Sequence, residues 1–179
     1  MKILKYILIG VVSLVALLLI VALFTKKEYG VEREVVINRP KAEVFDYVRL
    51  LKNQENFSVW ATKDPQMKKE YRGIDGTLGF VSAWDSEMED VGKGEQEIKN
   101  IVEGVRIDYE LRFIEPFASN DDAYLTFESV FESQTRVKWG FKGVMKYPMN
   151  LFLLTMDMEG MLGKDLQDGL NNLKMVMES

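Results

Sequence analysis

"VRIDYELRF", residues 105–113, decides the fold: Ile107, Tyr109, Leu111 and Phe113 alternate with Arg106, Asp108, Glu110 and Arg112. Successive side chains of an extended chain point to opposite sides, so this stretch is a strand with one apolar and one solvated face. "TRVKWGFKGV" (135–144) repeats the pattern, with Val137, Trp139 and Phe141 set against Arg136, Lys138 and Lys142. Two-faced strands of this kind belong to antiparallel sheets, because parallel sheets are covered on both sides and read as unbroken apolar runs.

Outward from these two strands the same rhythm continues. "MKKEYR" (67–72), "TLGFVSAW" (77–84), "KGEQEIKNIV" (93–102) and "AYLTFESVFE" (123–132) are strand-like runs divided by turns such as "GIDG" (73–76), which predicts an antiparallel meander. "YGVEREVVINRP" (29–40) predicts a further strand through Ile37, with Asn38 as a possible cap and Pro40 in the first turn of a helix. That helix, "KAEVFDYVRLL" (41–51), carries Val44, Phe45, Val48 and Leu51 at helical spacing. "KNQENFSVWATKDPQM" (52–67) reads as a short helix and a loop, with Pro65 as the stop.

The apolar sheet face needs a partner, and the segment from Pro148 to Met177 supplies one. It has no internal proline, and a helical projection puts Met149, Phe152, Met156, Glu159, Gly163, Leu166, Leu170, Leu173 and Met177 on one stripe. Asp157, Lys164 and Asp168 fall on the opposite, solvated side.

The first 29 residues differ in character. Ile7 to Phe24 is an uninterrupted run of 18 uncharged residues, with Lys2 and Lys5 before it and Lys26 and Lys27 after it. At ~1.5 Å per residue it reaches ~27 Å, close to the hydrocarbon thickness of a bilayer. A cleaved signal peptide shares the basic start, but its apolar region usually covers only ~7–15 residues and is followed by a small-x-small site. Leu23, Phe24 and Thr25 do not provide one. Residues 1–29 are therefore read as a retained single-pass anchor with a short linker, and residues 30–179 as one domain. Lysines stand in equal number on both sides of the span, so charge does not orient it; the short N-terminal tail places the domain most simply outside the cytoplasm.

Composition excludes several kinds of chemistry. The chain has no cysteine and no histidine, which removes thiolate and histidine metal sites, the cysteine nucleophile and the histidine general base. No metal and no cofactor is expected. Residues 30–179 carry 19 Lys or Arg against 27 Asp or Glu, so a nucleic-acid partner is not expected, and anionic lipid headgroups would repel this surface, which leaves membrane attachment to the anchor.

The quoted strands, together with "VVINRPKAEVFDYV" (35–48), "YRGIDGTLGFVSAW" (71–84) and "MDMEGMLGKDLQDGLNNLK" (156–174), resemble the START-like (SRPBCC) superfamily, and within it the bacterial polyketide cyclase/dehydrase and lipid-transport group. The likeness covers residues 31–177. It implies an α+β helix-grip fold: a curved antiparallel sheet of about seven strands wrapped around the long C-terminal helix, here with one N-terminal transmembrane helix added. It also implies an apolar cavity between sheet and helix that takes a lipid or another hydrophobic small molecule. Some members of the superfamily cyclise or dehydrate, others activate chaperones, and no catalytic signature is common to them. An enzyme of the cyclase or dehydratase type and a protein-interaction module thus stand as alternatives to a binding domain.

Phe80, Trp84, Tyr109, Leu111 and Trp139 point inward by alternation, and Trp60 lies in the helix-loop that closes one side of such cavities. With Phe152, Met156 and Glu159 of the helical stripe they form the expected ligand-binding set. Seven of the ten methionines lie between 145 and 177, and their flexible thioethers suit either an adaptable cavity floor or an irregular core. Phe117, beside Pro116 in a loop, is a candidate gate. Glu159 is the best catalytic candidate, since a carboxylate on an apolar stripe is costly unless paired, hydrogen-bonded or protonated. Three environments are open to it: the cavity, an ion pair at the cavity mouth, or water at the edge of the stripe.

Overall fold

The computed structural model describes residues 2–179. Its elements run α1 (Lys2–Phe24), β1 (Glu28–Ile37), α2 (Lys41–Arg49), a 3-10 turn (Leu51–Asn56), α3 (Val59–Lys63), β2 (Lys68–Arg72), β3 (Val81–Asp85), β4 (Lys93–Val102), β5 (Arg106–Glu115), β6 (Ser119–Phe131), β7 (Gln134–Val144), a second 3-10 turn (Met149–Leu154) and α4 (Met158–Glu178). The strands form one antiparallel sheet in the order β1-β7-β6-β5-β4-β3-β2. β2 through β7 thus make the expected meander, and β1 closes onto β7 at the far edge.

The alternation of "VRIDYELRF" is realised as read. Ile107 and Tyr109 are buried, while Arg112 turns outward and pairs with Glu95 (2.6 Å), Glu97 (2.8 Å) and Glu110 (2.7 Å). The inner face joins α2 and α4 in one core that includes Ile37, Val44, Phe45, Val48, Ile98, Leu125, Val137, Leu166, Leu170 and Leu173.

Three boundaries differ from the sequence reading. β1 begins at Glu28, inside the expected linker, because Glu28 and Tyr29 already pair with Val144 and Gly143. Asn38 does not cap α2, whose N-cap is Pro40 without a side-chain bond; its backbone N–H instead donates to Glu178 (2.6 Å) and its side-chain oxygen accepts from Gln134 (2.7 Å). Most consequentially, α4 starts at Met158, not near Pro148. Asp157 is its N-cap, with Oδ1 accepting from the Gly160 N–H at 2.8 Å, so the residue read as a plain solvated carboxylate starts the helix. Met149, Phe152 and Met156 lie before the helix and do not continue its buried stripe.

α4 lies against β1 and β7. Its close approach depends on Gly169, where a Cβ would stand 2.9 Å from Cζ3 of Trp139 and 3.4 Å from the Phe57 carbonyl oxygen. Glycine costs about 1 kcal/mol in a helix interior relative to alanine, and here it admits the indole. We expect Gly169→Val to destabilise the detergent-solubilised chain by about 1–3 kcal/mol through overpacking, and Leu170→Ala, at a fully buried position, by about 2–5 kcal/mol through cavity formation. Thermal and denaturant unfolding read both.

Candidate functional site: a cavity between sheet and helix

α4 covers the β1 and β7 side of the inner face and leaves part of the β3–β6 side open. The space left is a cavity of about 350 Å³, within the range usual for small-molecule sites. Trp84, Leu111, Phe113, Trp139 and Phe141 form its sheet wall, Trp60 and Ala61 of α3 close one side, and Met158, Leu162 and Leu166 of α4 close another. Trp139 is the hub of the aromatic wall, with its ring centroid 5.7 Å from Phe57 and 6.1 Å from Trp60, both edge-to-face. Trp84 stands edge-to-face on Phe113 at 5.9 Å, and its indole N–H donates to the Val91 carbonyl at 3.3 Å. That bond satisfies the polar atom and leaves the ring as an apolar surface.

A polar row crosses this wall. Register places Ser82 opposite Gln96, Gln96 opposite Leu111, and Leu111 opposite Asp121, and all four residues line the cavity. Asp121 is buried, accepting from the Ser119 hydroxyl (2.8 Å) and the Val144 N–H (3.1 Å). Its charge and the burial of Tyr29 together push the Tyr29 hydroxyl up to about 12, burial being the larger cause. The other charged lining groups are held by partners. Lys69 pairs with Glu55 at 2.9 Å, Glu55 also accepts from the Tyr71 hydroxyl, and Asp90 lies 3.9 Å from Lys63.

The sequence-predicted residues divide into three groups. Trp60, Trp84, Leu111 and Trp139 line the cavity. Phe80 and Tyr109 are inward but lie behind it in the core, where Phe80 stacks on Tyr71 and burial drives the Tyr109 hydroxyl far above the usual phenol range. Phe152, Met156 and Glu159 are not in the wall. Phe152 and Met156 precede α4 and are exposed. The Glu159 side chain is 76% exposed and makes only a 3.5 Å contact with Arg33. It occupies the first turn of α4 at the β1 edge, so of the three environments open to it the structure selects an exposed pair at the rim. Phe117 is exposed at the β5–β6 loop and does not line the cavity.

Sequence reasoning missed Gln54, Ser82, Gln96 and Asp121. The signal was the alternation itself, since Ser82 shares the parity of Phe80 and Trp84, and Gln96 that of Ile98, but polar residues at inward positions were not counted as wall.

No family model matches the chain, and no curated protein matches it in sequence. Solved structures do. Protein MLL2253 from Mesorhizobium loti superposes with a TM-score of 0.60 at 12% identity, over 84% of this chain and 97% of that one. The Aha1 dimer structure from Colwellia psychrerythraea gives 0.56 at 13% identity, over 84% and 96%, and Ara h 8.0201 gives 0.56 at 13% identity, over 84% and 98%. The chain has the helix-grip fold, a seven-stranded antiparallel sheet around a C-terminal helix. At these identities the likeness carries the architecture alone, and the activity must be argued from the cavity.

Surface ion pairs contribute roughly 0–1 kcal/mol, and Glu159 touches no cavity residue other than through its own helix. We expect Glu159→Gln to leave both the thermal midpoint and the uptake of a fluorescent fatty acid near those of the unsubstituted chain. A large loss of uptake would return Glu159 to the site.

Proposed function

We propose that this protein is a membrane-tethered domain that binds a lipid or another hydrophobic small molecule in the cavity between sheet and C-terminal helix. The observation that carries the reading is the cavity's composition: a wall built mainly of indole, phenyl and aliphatic side chains, with a few polar groups on one row. Sites with this balance bury an apolar body and use the polar groups to orient it. The tether fits the same reading. α1 is long and apolar enough to cross a membrane over Ile3–Phe24, and joining a hydrophobic-ligand domain to a bilayer raises its effective concentration at the ligand's source.

The binding reading is favoured over the cyclase or dehydratase alternative on geometry. Catalysis of that kind needs an acid or base in reach of the ligand with a suitable ionisation. Glu159 is at the rim, Tyr29 is held neutral far above neutral pH, and Glu55 and Asp121 are engaged by close partners. The domain is placed on the extracytoplasmic side as the simplest topology for an uncleaved N-terminal anchor.

Native mass spectrometry of the full chain released from detergent should show a copurified hydrophobic adduct. The apo chain should take up a fluorescent fatty acid, and Leu111→Trp, which narrows the cavity, should weaken uptake severalfold while the fold is retained by circular dichroism. An unsubstituted chain that carries no adduct and takes up neither fatty acids nor phospholipids would sink the proposal.

A further inference from the structure

The stretch from Val144 to Met156, "VMKYPMNLFLLTM", contains no acidic residue in a chain that has 28. Folded proteins rarely leave a contiguous group of large apolar side chains in water without a partner, yet Tyr147, Met149, Phe152, Leu154 and Met156 are all exposed here, Leu154 by 61%. The structure also shows where this stretch is held. Asn150, itself fully buried, donates from Nδ2 to the carbonyl oxygens of Ala22 (2.7 Å) and Thr25 (3.0 Å), and the Met145 N–H donates to the Lys27 carbonyl at 2.8 Å.

The Ala22 carbonyl belongs to the last turn of α1, and those of Thr25 and Lys27 follow just beyond it. The last carbonyls of a helix have no partner within it, and inside the hydrocarbon region no water is present to supply one. Asn150 supplies the missing donor, and in doing so fixes the 3-10 turn Met149–Leu154 at the level of the anchor's last turn. A helix that spans the hydrocarbon region ends at its boundary, so a segment tied to residues 22–25 lies at that boundary as well. Lys146 and Tyr147 have the chemistry of residues that settle among headgroups.

We propose that the Met149–Leu154 turn is a second membrane-embedded element, immersed in the interfacial layer of the bilayer that α1 spans. This rests on the anchor reading above. The cleft between α1 and the domain shares Tyr29 and Met158 with the ligand cavity, so immersion of the turn holds that side of the cavity against lipid, and the domain does not swing freely on its linker.

The absence of cysteine makes the test clean. Single-cysteine variants Phe152→Cys and Leu154→Cys of the full chain, with Leu14→Cys in the anchor and Phe131→Cys at the opposite end of the sheet, are labelled with a nitroxide and reconstituted in phosphatidylcholine nanodiscs. Phe131 is 68% exposed and ends β6 opposite Gln134, at the end of β7 away from the anchor and about 35 Å from it by strand length. Electron paramagnetic resonance then compares collision with oxygen, which partitions into lipid, and with a water-soluble nickel chelate. The expected result is an oxygen-to-nickel ratio at 152 and 154 severalfold above that at 131 and close to that at 14. Labels at 152 and 154 that behave like 131, while 14 remains lipid-exposed, would overturn the proposal and leave the anchor standing. A water-exposed label at 14 would remove both.

Discussion

One helix is too narrow to cover a seven-stranded sheet. Strands lie about 4.8 Å apart, so seven span roughly 29 Å, whereas a helix with its side chains is about 10–12 Å across. α4 satisfies the apolar demand of β1 and β7, α2 and the Leu51–Asn56 turn add Val44, Phe45, Val48 and Leu51 to the core, and part of the inner face beside β3–β6 is left bare. The cavity is the remainder of that mismatch. Its wall is aromatic because large rings can close a gap from one side, as Trp139 does by reaching Phe57 and Trp60. It has a polar row because Ser82, Gln96 and Asp121 lie where no helix presses on the sheet.

The depth of α4's approach sets how much space remains. Gly169 lets the helix backbone meet the edge of the Trp139 ring, and at Gly163 the space a Cβ would take is filled by the Arg33 guanidinium. The two glycines therefore divide the helix: its middle packs on the cavity hub, and its first turns ride over a charged rim where Arg33 faces Glu159. The same rim borders the exit end of α1, so the cavity, the start of α4 and the end of α1 are neighbours through Tyr29 and Met158.

Local periodicity carried most of the fold. Strand alternation around Tyr109 and Trp139, the turn residues between strands and the leucine spacing of 166, 170 and 173 each reflect a short-range rule that tertiary context did not overturn. The largest error lies at residues 148–159. There an unbroken apolar spacing concealed a change of element, and the Asp157 cap with Gly160 three residues later was the local sign that the helix starts anew. Extending the stripe backward placed Phe152 and Met156 on a helix face that does not exist in the folded chain, while Glu159 is in the helix but on its exposed first turn. Phe80 and Tyr109 were placed on the correct face, but parity does not tell a core position from a cavity wall, since both point inward.

By itself the sequence determined the antiparallel sheet, its covering helix, the apolar N-terminal span and the exclusion of cysteine and histidine chemistry, because each follows from residue type and spacing along one element. Only the tertiary structure decided where the sheet is left uncovered, which inward side chains bound the resulting space, and that Asn150 ties the β7–α4 connection to the last turn of α1. Those are relations between elements far apart in the chain. Packing distance and hydrogen-bond geometry create them, and no local periodicity encodes them.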